Sequence, residues 1–316
     1  MRGLILKVMP LVSVIIPNFN GRDLLRECLS SLGTQSYEKY EVIVVDNDST
    51  DGSPEVVRKE FPWAILLETE RSGIARACNI GLRASKGDIV VTMLNNDMTV
   101  DKDWLRHLVA ALVPRGVGVV GGKIYNSGTR VIQAAGNRVD WNSGACHQIG
   151  VGQQDVGQFD NVREVDYLDV PTVRRDVLNA IGGIDEGYSF YYTDVDFCVR
   201  AREAGYKVLY VPSAVSWHPS KTTVGRATWR RYYSLQTDGM RFLIKHSPTQ
   251  LVYYRICRRT IFVLITLARF LFKRRIDLVS IQTATFLMSL LGLRKAMNSR
   301  NRPYDRLGEF AFNKSN

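Results

Sequence analysis

Four apolar blocks near the start of the chain constrain its fold more than any other feature: LVSVII (11–16), YEVIVVD (40–46), AILLE (64–68) and DIVVTML (88–94). Each is apolar almost throughout rather than alternating, so each reads as a strand covered on both faces. The segments between them carry apolar residues at helical spacing. Leu24, Leu25, Cys28, Leu29 and Leu32 form one such face, and Gly33 is placed to stop it. Ser53-Pro54 reads as an N-cap followed by proline at the first helical position. RSGIARACNIGLRAS (71–85) opens on a glycine turn and continues as a helix. A further helix over 101–112 starts at Asp101, and GVGVVGG (116–122) is another short strand. Strands alternating with helices predict an α/β fold with a doubly wound, mostly parallel sheet, whose ligand loops gather at the carboxyl ends of the strands.

The rest of the chain is organised differently. Residues 123–167 are rich in Gly, Asn and Gln and predict short strands and loops. VPTVRRDVLNAIGGIDEGY (170–188) holds a short helix ending at Gly182-Gly183, and TDVDFCVRAREAGYKVLYVP (193–212) a helix followed by a strand. Three parts result: 1–122 and 123–250 as two halves of one domain, and 251–316 as a basic tail. The charge marks the last division. Residues 1–220 hold 23 Lys/Arg against 27 Asp/Glu, whereas residues 221–316 hold 19 against 4. Such asymmetry predicts a tail that meets an anionic surface.

The five cysteines (Cys28, Cys78, Cys146, Cys198, Cys257) are odd in number and widely spaced. They argue against a disulfide framework and a zinc site, and read as small buried hydrophobes in a reducing compartment. The apolar patch in MRGLILKVMP is broken by Lys7 and Pro10, too soon for a secretory signal.

Chemistry concentrates at the strand ends. VVTMLNNDMTV (90–100) stops abruptly at Asn95, Asn96 and Asp97, and earlier ends deliver Pro17–Asn20 and Asp46–Asp51. No G-x-G-x-x-G follows the first strand and no P-loop occurs, which excludes the usual dinucleotide and P-loop sites. What remains is carboxylates and amides. Asp and Asn suit the hydrogen-bonding edge of a uracil or thymine, and a carboxylate suits a divalent metal on a diphosphate.

At these residues the chain resembles the inverting glycosyltransferases of family 2, with a GT-A, Rossmann-like fold. The matching stretches are VSVIIPNFNG, YEVIVVDNDSTDGS, SGIARACNIGLRASKGDIVVTMLNND, GGIDEGYSFYYTDVDFCVRAREAGYKVLYVPSAVSWH and YYSLQTDGMRFLIKHSP. They run in family order through most of residues 12–250, and the rhamnosyltransferase-like subgroup is the one resembled most. The resemblance implies that Pro17, Asn18 and Asn20 line the base pocket and that Asp46 or Asn47 reads the pyrimidine. Gly73 to Asn79 pass near ribose and diphosphate, and Asn95 and Asn96 reach ribose and phosphate oxygens. It further implies that Asp97 ligates Mg2+ or Mn2+, with His218 completing the shell. Asp194 becomes the general base, standing where the family has a Glu-Asp pair and this chain has Thr193-Asp194. The bland alternatives are a turn and helix cap for Asp46–Asp51, an Asx-turn at Asp97, a structural His218, and an N-cap at Asp194 for which Thr193 competes. Asp196 reads as support for the first helical turn.

Other departures are LDVPTVRRD (168–176), without the glycine-alanine stretch common before this helix, and Gln236-Thr237 in place of an Arg-Asn pair. Arg226, Arg230 or Arg231 could replace the lost diphosphate contact on charge. In the tail, apolar runs 260–268 and 278–293 lie between charged residues. Both are shorter than the roughly 20 residues of a membrane span, so interfacial helices with basic flanks are expected, with a soluble helical cap or a dimer interface as the alternative. The expected enzyme takes a UDP- or dTDP-sugar to a glycan or lipid-linked acceptor. It works peripherally on an anionic membrane at the cytoplasmic face, without nucleic acid. A silent sugar-nucleotide-binding module recruited to the membrane is the alternative.

Overall fold

The computed structural model describes residues 9–219, 229–274 and 276–291. Its first half alternates as expected: β1 (Val12–Asn18), α1 (Arg22–Leu32), β2 (Tyr40–Asn47), α2 (Ser53–Glu60), β3 (Ile65–Thr69), α3 (Ile74–Ala84), β4 (Ile89–Val91), β5 (Thr99–Val100), α4 (Trp104–Ala111) and β6 (Val117–Asn126). Next come short strands, β7 (Ile132–Ala134), β8 (Asn137–Asp140), β9 (Ala145–Gln148), β10 (Arg163–Glu164) and β11 (Thr172–Arg174). The chain continues with α5 (Arg175–Ile181), α6 (Thr193–Glu203), β12 (Lys207–His218), α7 (Trp229–His246), α8 (Val252–Phe272) and α9 (Ile276–Leu291).

The main sheet runs β10-β12-β6-β11-β4-β1-β2-β3, with β5 added to β12 and β7 to β6. The pairs β1/β2, β1/β4, β2/β3 and β6/β12 are parallel, while β11 inserts antiparallel between β4 and β6. The expected boundary at 122 falls inside β6, so both halves share one sheet.

Both faces of the sheet are covered at β1, β2 and β4, which is why those strands read as unbroken apolar runs. Strand β3, at the edge of the sheet, is not covered on both faces as its apolar run predicts, and Ile65 is 40% exposed. Val12, Val14 and Ile16 of β1 pack with α1, α2 and α4, whereas Ile15 packs on the opposite side with α3 and α6. Fully burying one such Val or Ile contributes about 1.5–3 kcal/mol. A smaller core of Met240, Ile244, Val252, Val263 and Phe286 joins α7, α8 and α9.

Several local expectations need correction. Gly52, with φ 86°, occupies the N-cap of α2, so Ser53 is already helical. The carboxylate of Asp51 takes the capping work, accepting the N–H groups of Arg22 (2.8 Å) and Ser53 (3.0 Å). Asp103, not Asp101, is the N-cap of α4. All five cysteines are free, but only Cys28, Cys78 and Cys198 are buried; Cys146 is half-buried and Cys257 exposed. Arg226, residues 1–8 and residues 292–316 lie outside the described residues, as do the side chains of Arg230 and Arg231.

The start of α6 is fastened to α7 by charge. Asp196 is fully buried and accepts from Arg200 Nε (2.8 Å), Tyr188 Oη (3.0 Å) and His246 Nε2 (2.9 Å), with Lys245 Nζ at 2.6 Å. Burial alone would raise its pKa, but Arg200, His246 and Lys245 hold it well below the usual carboxylate range. Asp196 therefore does more than favour the first helical turn. It is the hub of an ion cluster that fixes one helix against another.

Candidate active site

The parallel register sets Asn18 beside Asp46 at the ends of β1 and β2. Asn18 Nδ2 donates to Asp46 Oδ2 (2.8 Å) and to Ser49 Oγ (3.2 Å), and the Ser49 N–H donates to Asp46 Oδ1 (2.9 Å). Ser49 Oγ also accepts the Asn20 N–H at 2.9 Å. Asn20 adopts φ 48°, a left-handed conformation that Asn tolerates, and its side-chain oxygen accepts the Thr50 N–H (2.8 Å). Asn18 and Asp46 are 1% and 2% exposed, so this network is the floor of the site and not its rim. Pro17 stands one residue back in β1, in register with Val45. Sequence reasoning passed over Ser49, although it lies inside the polar run that ends β2.

One strand further out, Asn47 Oδ1 accepts the Ser72 N–H (2.8 Å), tying the end of β2 to the turn at Gly73. Gly73 has φ 84° and is the N-cap of α3 with no side-chain cap. Beside it the Arg71 guanidinium lies 4.2 Å over the Phe19 ring, a cation in the loop cluster that the sequence reading missed. Asn79 is placed differently from the other expected donor residues. It is fully buried, donates to Ile184 O and Glu186 Oε1 (both 2.8 Å), and accepts the Ile184 N–H (2.9 Å). Its amide joins α3 to the loop after α5.

The strand before Asn95 is shorter than expected. Beyond Val91 the chain leaves the ladder: the Thr92 N–H bonds to Pro171 O (3.0 Å), and the Leu94 N–H bonds to Ile15 O (2.8 Å). Asn95, Asn96 and Asp97 then fold over the start of α1, half-buried. Asn96 Nδ2 donates to Asn18 Oδ1 at 2.6 Å. A Cβ on Gly21 would stand 2.1 Å from that nitrogen, so glycine is needed for the two loops to close together.

Asp97 and His218, which the resemblance paired, do meet: Nε2 of His218 lies 3.1 Å from Asp97 Oδ1. The ring's other nitrogen, Nδ1, is 3.0 Å from Gln133 Oε1. That contact leaves Nε2 as the ring nitrogen on the Asp97 side. The imidazole nitrogen and the carboxylate oxygen facing each other are the two atoms that a cation set between them would use. No cluster of three or more His, Cys, Asp or Glu suited to a metal occurs among the described residues. Two protein ligands fit a cation whose other positions are taken by phosphate oxygens and water.

Asp194 lies near Asp169, two residues before the Pro171 carbonyl that accepts the Thr92 N–H just past β4. Asp194 is the second residue of α6, and the N-cap is Tyr192 with no side-chain hydrogen bond, so neither Asp194 nor Thr193 caps the helix. Burial, reinforced by repulsion from Asp169, pushes the Asp194 carboxyl up to about 7. Asp169 itself is held by Asn137 Nδ2 (2.9 Å) just before β11, whose first residue pairs with the last residue of β4. Asp169, within the 168–176 stretch, thus sets a second carboxylate beside Asp194.

The loop leading to Asp194 is strained and clamped. Tyr192 adopts φ 64°, costly for a bulky residue by about 1–3 kcal/mol. It is held by its hydroxyl donating to Gly144 O (2.8 Å) and by its ring 5.3 Å from that of Phe242. Ahead of it, the Asp238 carboxylate on α7 accepts the N–H groups of Ser189, Phe190 and Tyr191 (each 3.0 Å) and the Ser189 hydroxyl.

Residues 13–155 match the model of the family described as "Glycosyl transferase family 2". The chain is 31% identical over 224 residues to glycosyltransferase AglE of Haloferax volcanii, covering 67% of this chain and 68% of that protein. It is 30% identical over 214 residues to the O-antigen biosynthesis protein RfbC of Myxococcus xanthus, over 63% of this chain but 16% of that longer protein. In fold it matches a Pyrobaculum calidifontis mannosyltransferase solved with GDP-Man and Mn2+. The TM-score is 0.57 at 22% identity, over 91% of this chain and 88% of the other. The GT-A fold agrees with the mixed, mostly parallel sheet and its strand-end loops. This chain belongs to glycosyltransferase family 2.

Proposed function

We propose that the protein is an inverting, divalent-metal-dependent glycosyltransferase that moves a sugar from a UDP- or dTDP-sugar to a hydroxyl of a glycan or lipid-linked acceptor. What supports this reading is a buried Asp194 carboxyl pushed up to about 7 beside Asp169, together with the Asp97–His218 pair after β4. A base whose pKa lies near the working pH is what proton abstraction from a hydroxyl needs.

In this reading the donor's base lies against the floor formed by Asn18, Asp46 and Ser49, and Asn95 and Asn96 face ribose and phosphate. Asp97 and His218 would hold Mg2+ or Mn2+, which supplies charge neutralisation for the departing diphosphate. The acceptor oxygen bonds to the anomeric carbon from the face opposite the diphosphate. The bond from that carbon to the phosphate oxygen breaks, its electron pair leaves with the nucleotide, and the hydroxyl proton passes to Asp194.

A thermal-shift and calorimetric panel of UDP-, dTDP- and GDP-sugars with Mn2+ tests the donor. Stabilisation by a uridine or thymidine nucleotide alone is expected, and a preference for GDP would move the base assignment. Asp238 gives a second test, because it holds the loop before Asp194 without belonging to the donor cluster. Asp238→Ala should lower kcat by about 10- to 100-fold, leave donor affinity within about twofold, and be partly rescued by Asp238→Asn, which keeps one accepting oxygen.

A further inference from the structure

Helix α8 carries far more exposed apolar surface than its packing uses. Val252, Ile256, Arg259, Val263 and Leu267 form the stripe against α7 and α9. On the opposite side, Tyr254, Arg258, Ile261, Ile265, Arg269 and Phe272 recur at three- and four-residue intervals and are all exposed, Phe272 to 91%. Aliphatic and aromatic residues thus share one outward face with arginines, and Lys273 and Arg274 follow at its end. Helix α8 contains no Asp or Glu.

We propose that this outer face of α8 is a docking surface for an anionic phospholipid bilayer, with the helix lying along the headgroup region. The chemistry favours that occupant over others. An apolar strip suits the acyl boundary, and arginines beside it suit lipid phosphates. A second copy in two-fold symmetry would set Arg258 and Arg269 against the same arginines, without an acid on either helix to offset them. A nucleic acid would leave Ile261, Ile265 and Phe272 without an apolar partner. Among the described residues no helix is long and apolar enough to cross a membrane, which fits lying on the surface.

The surface is fixed to the body of the molecule. The buried Arg259 donates to Ser143 O (3.1 Å) and Leu235 O (2.9 Å), and Arg255 donates to Ser247 Oγ (3.0 Å). Docking α8 would therefore orient the rest of the molecule on the bilayer.

The proposal goes beyond the reaction and is tested apart from it, by co-sedimentation of the full chain with large vesicles. Vesicles of phosphatidylcholine with phosphatidylglycerol should capture the wild type about tenfold better than phosphatidylcholine alone. Two double variants, Ile261→Glu with Ile265→Glu and Arg258→Glu with Arg269→Glu, should each lose about tenfold in partitioning. All four positions are exposed, and an unchanged circular dichroism spectrum and thermal midpoint confirm that the variants fold. Wild-type protein remaining in the supernatant with the anionic vesicles would overturn the proposal. So would a dimer in sedimentation velocity that the Ile261/Ile265 variant dissolves, since a second copy would then own the face.

Discussion

Asp194→Asn is expected to lower kcat by about 10^2–10^4-fold while leaving the donor's dissociation constant within about twofold. The amide keeps the shape of the side chain but cannot take the acceptor's proton. In the wild type, transfer should rise with pH through about 7, where burial and Asp169 have moved the Asp194 carboxyl. Stability should move the other way. The unfolded chain loses this proton near the ordinary value of about 3.9, whereas the folded protein keeps it until about 7. The folded state therefore binds more protons across that interval, and stability falls as pH rises through it. The amide variant escapes that loss, so at pH 8 its thermal midpoint should exceed that of the wild type by a few degrees. A dead but more stable variant is the signature of a strained catalytic group. A residue there only for structure would give a less stable one.

The second large effect concerns the other side of the site. Asp97→Ala should weaken donor binding on the order of 100-fold in Mn2+ and abolish the difference between Mn2+ and EDTA. The loop itself should survive, because Asn96 still donates to Asn18 and the Leu94 N–H to Ile15 O. Calorimetry with UDP in both buffers reads this without any acceptor. Donor binding that is equally tight in the variant would remove Asp97 from the donor site.

The strands and their polar ends were legible because doubly covered strands are written as uninterrupted apolar runs. The same logic placed Asn18, Asp46 and Asp97 at strand ends, since a polar residue closing such a run lies at or just past the carboxyl end of its strand. At Asp51 the turn-and-cap alternative holds, through a local bond from the Ser53 N–H that its place before Gly52 allows. Long-range partners were not legible. Asp238 lies 49 residues from Ser189, and nothing in its helix marks it as the clamp for that loop. Asp196 reads as a first-turn acid because its partners Lys245 and His246 come from α7. Helix α6 is buried from Val195 to Ala201 on nearly every side, so it offers no amphipathic stripe from which to infer its setting. The shortening of β4 had no local signal either, being imposed by β11 and by the turn of Leu94 toward β1. Asn79 shows the opposite hazard, where a site residue implied by resemblance is fully buried and holds backbone groups.

The proposed reaction requires that Asp97 and Asp194, far apart in the chain, address one donor molecule from two sides. Crystals grown with UDP and Mn2+, measured at the manganese edge, test this most directly. The expected result is a single anomalous peak bound by Asp97 and His218 and by the diphosphate, with the Asp194 carboxylate facing the sugar side of the same cleft. Manganese bound elsewhere, or Asp194 turned to a different surface from the nucleotide, would contradict it.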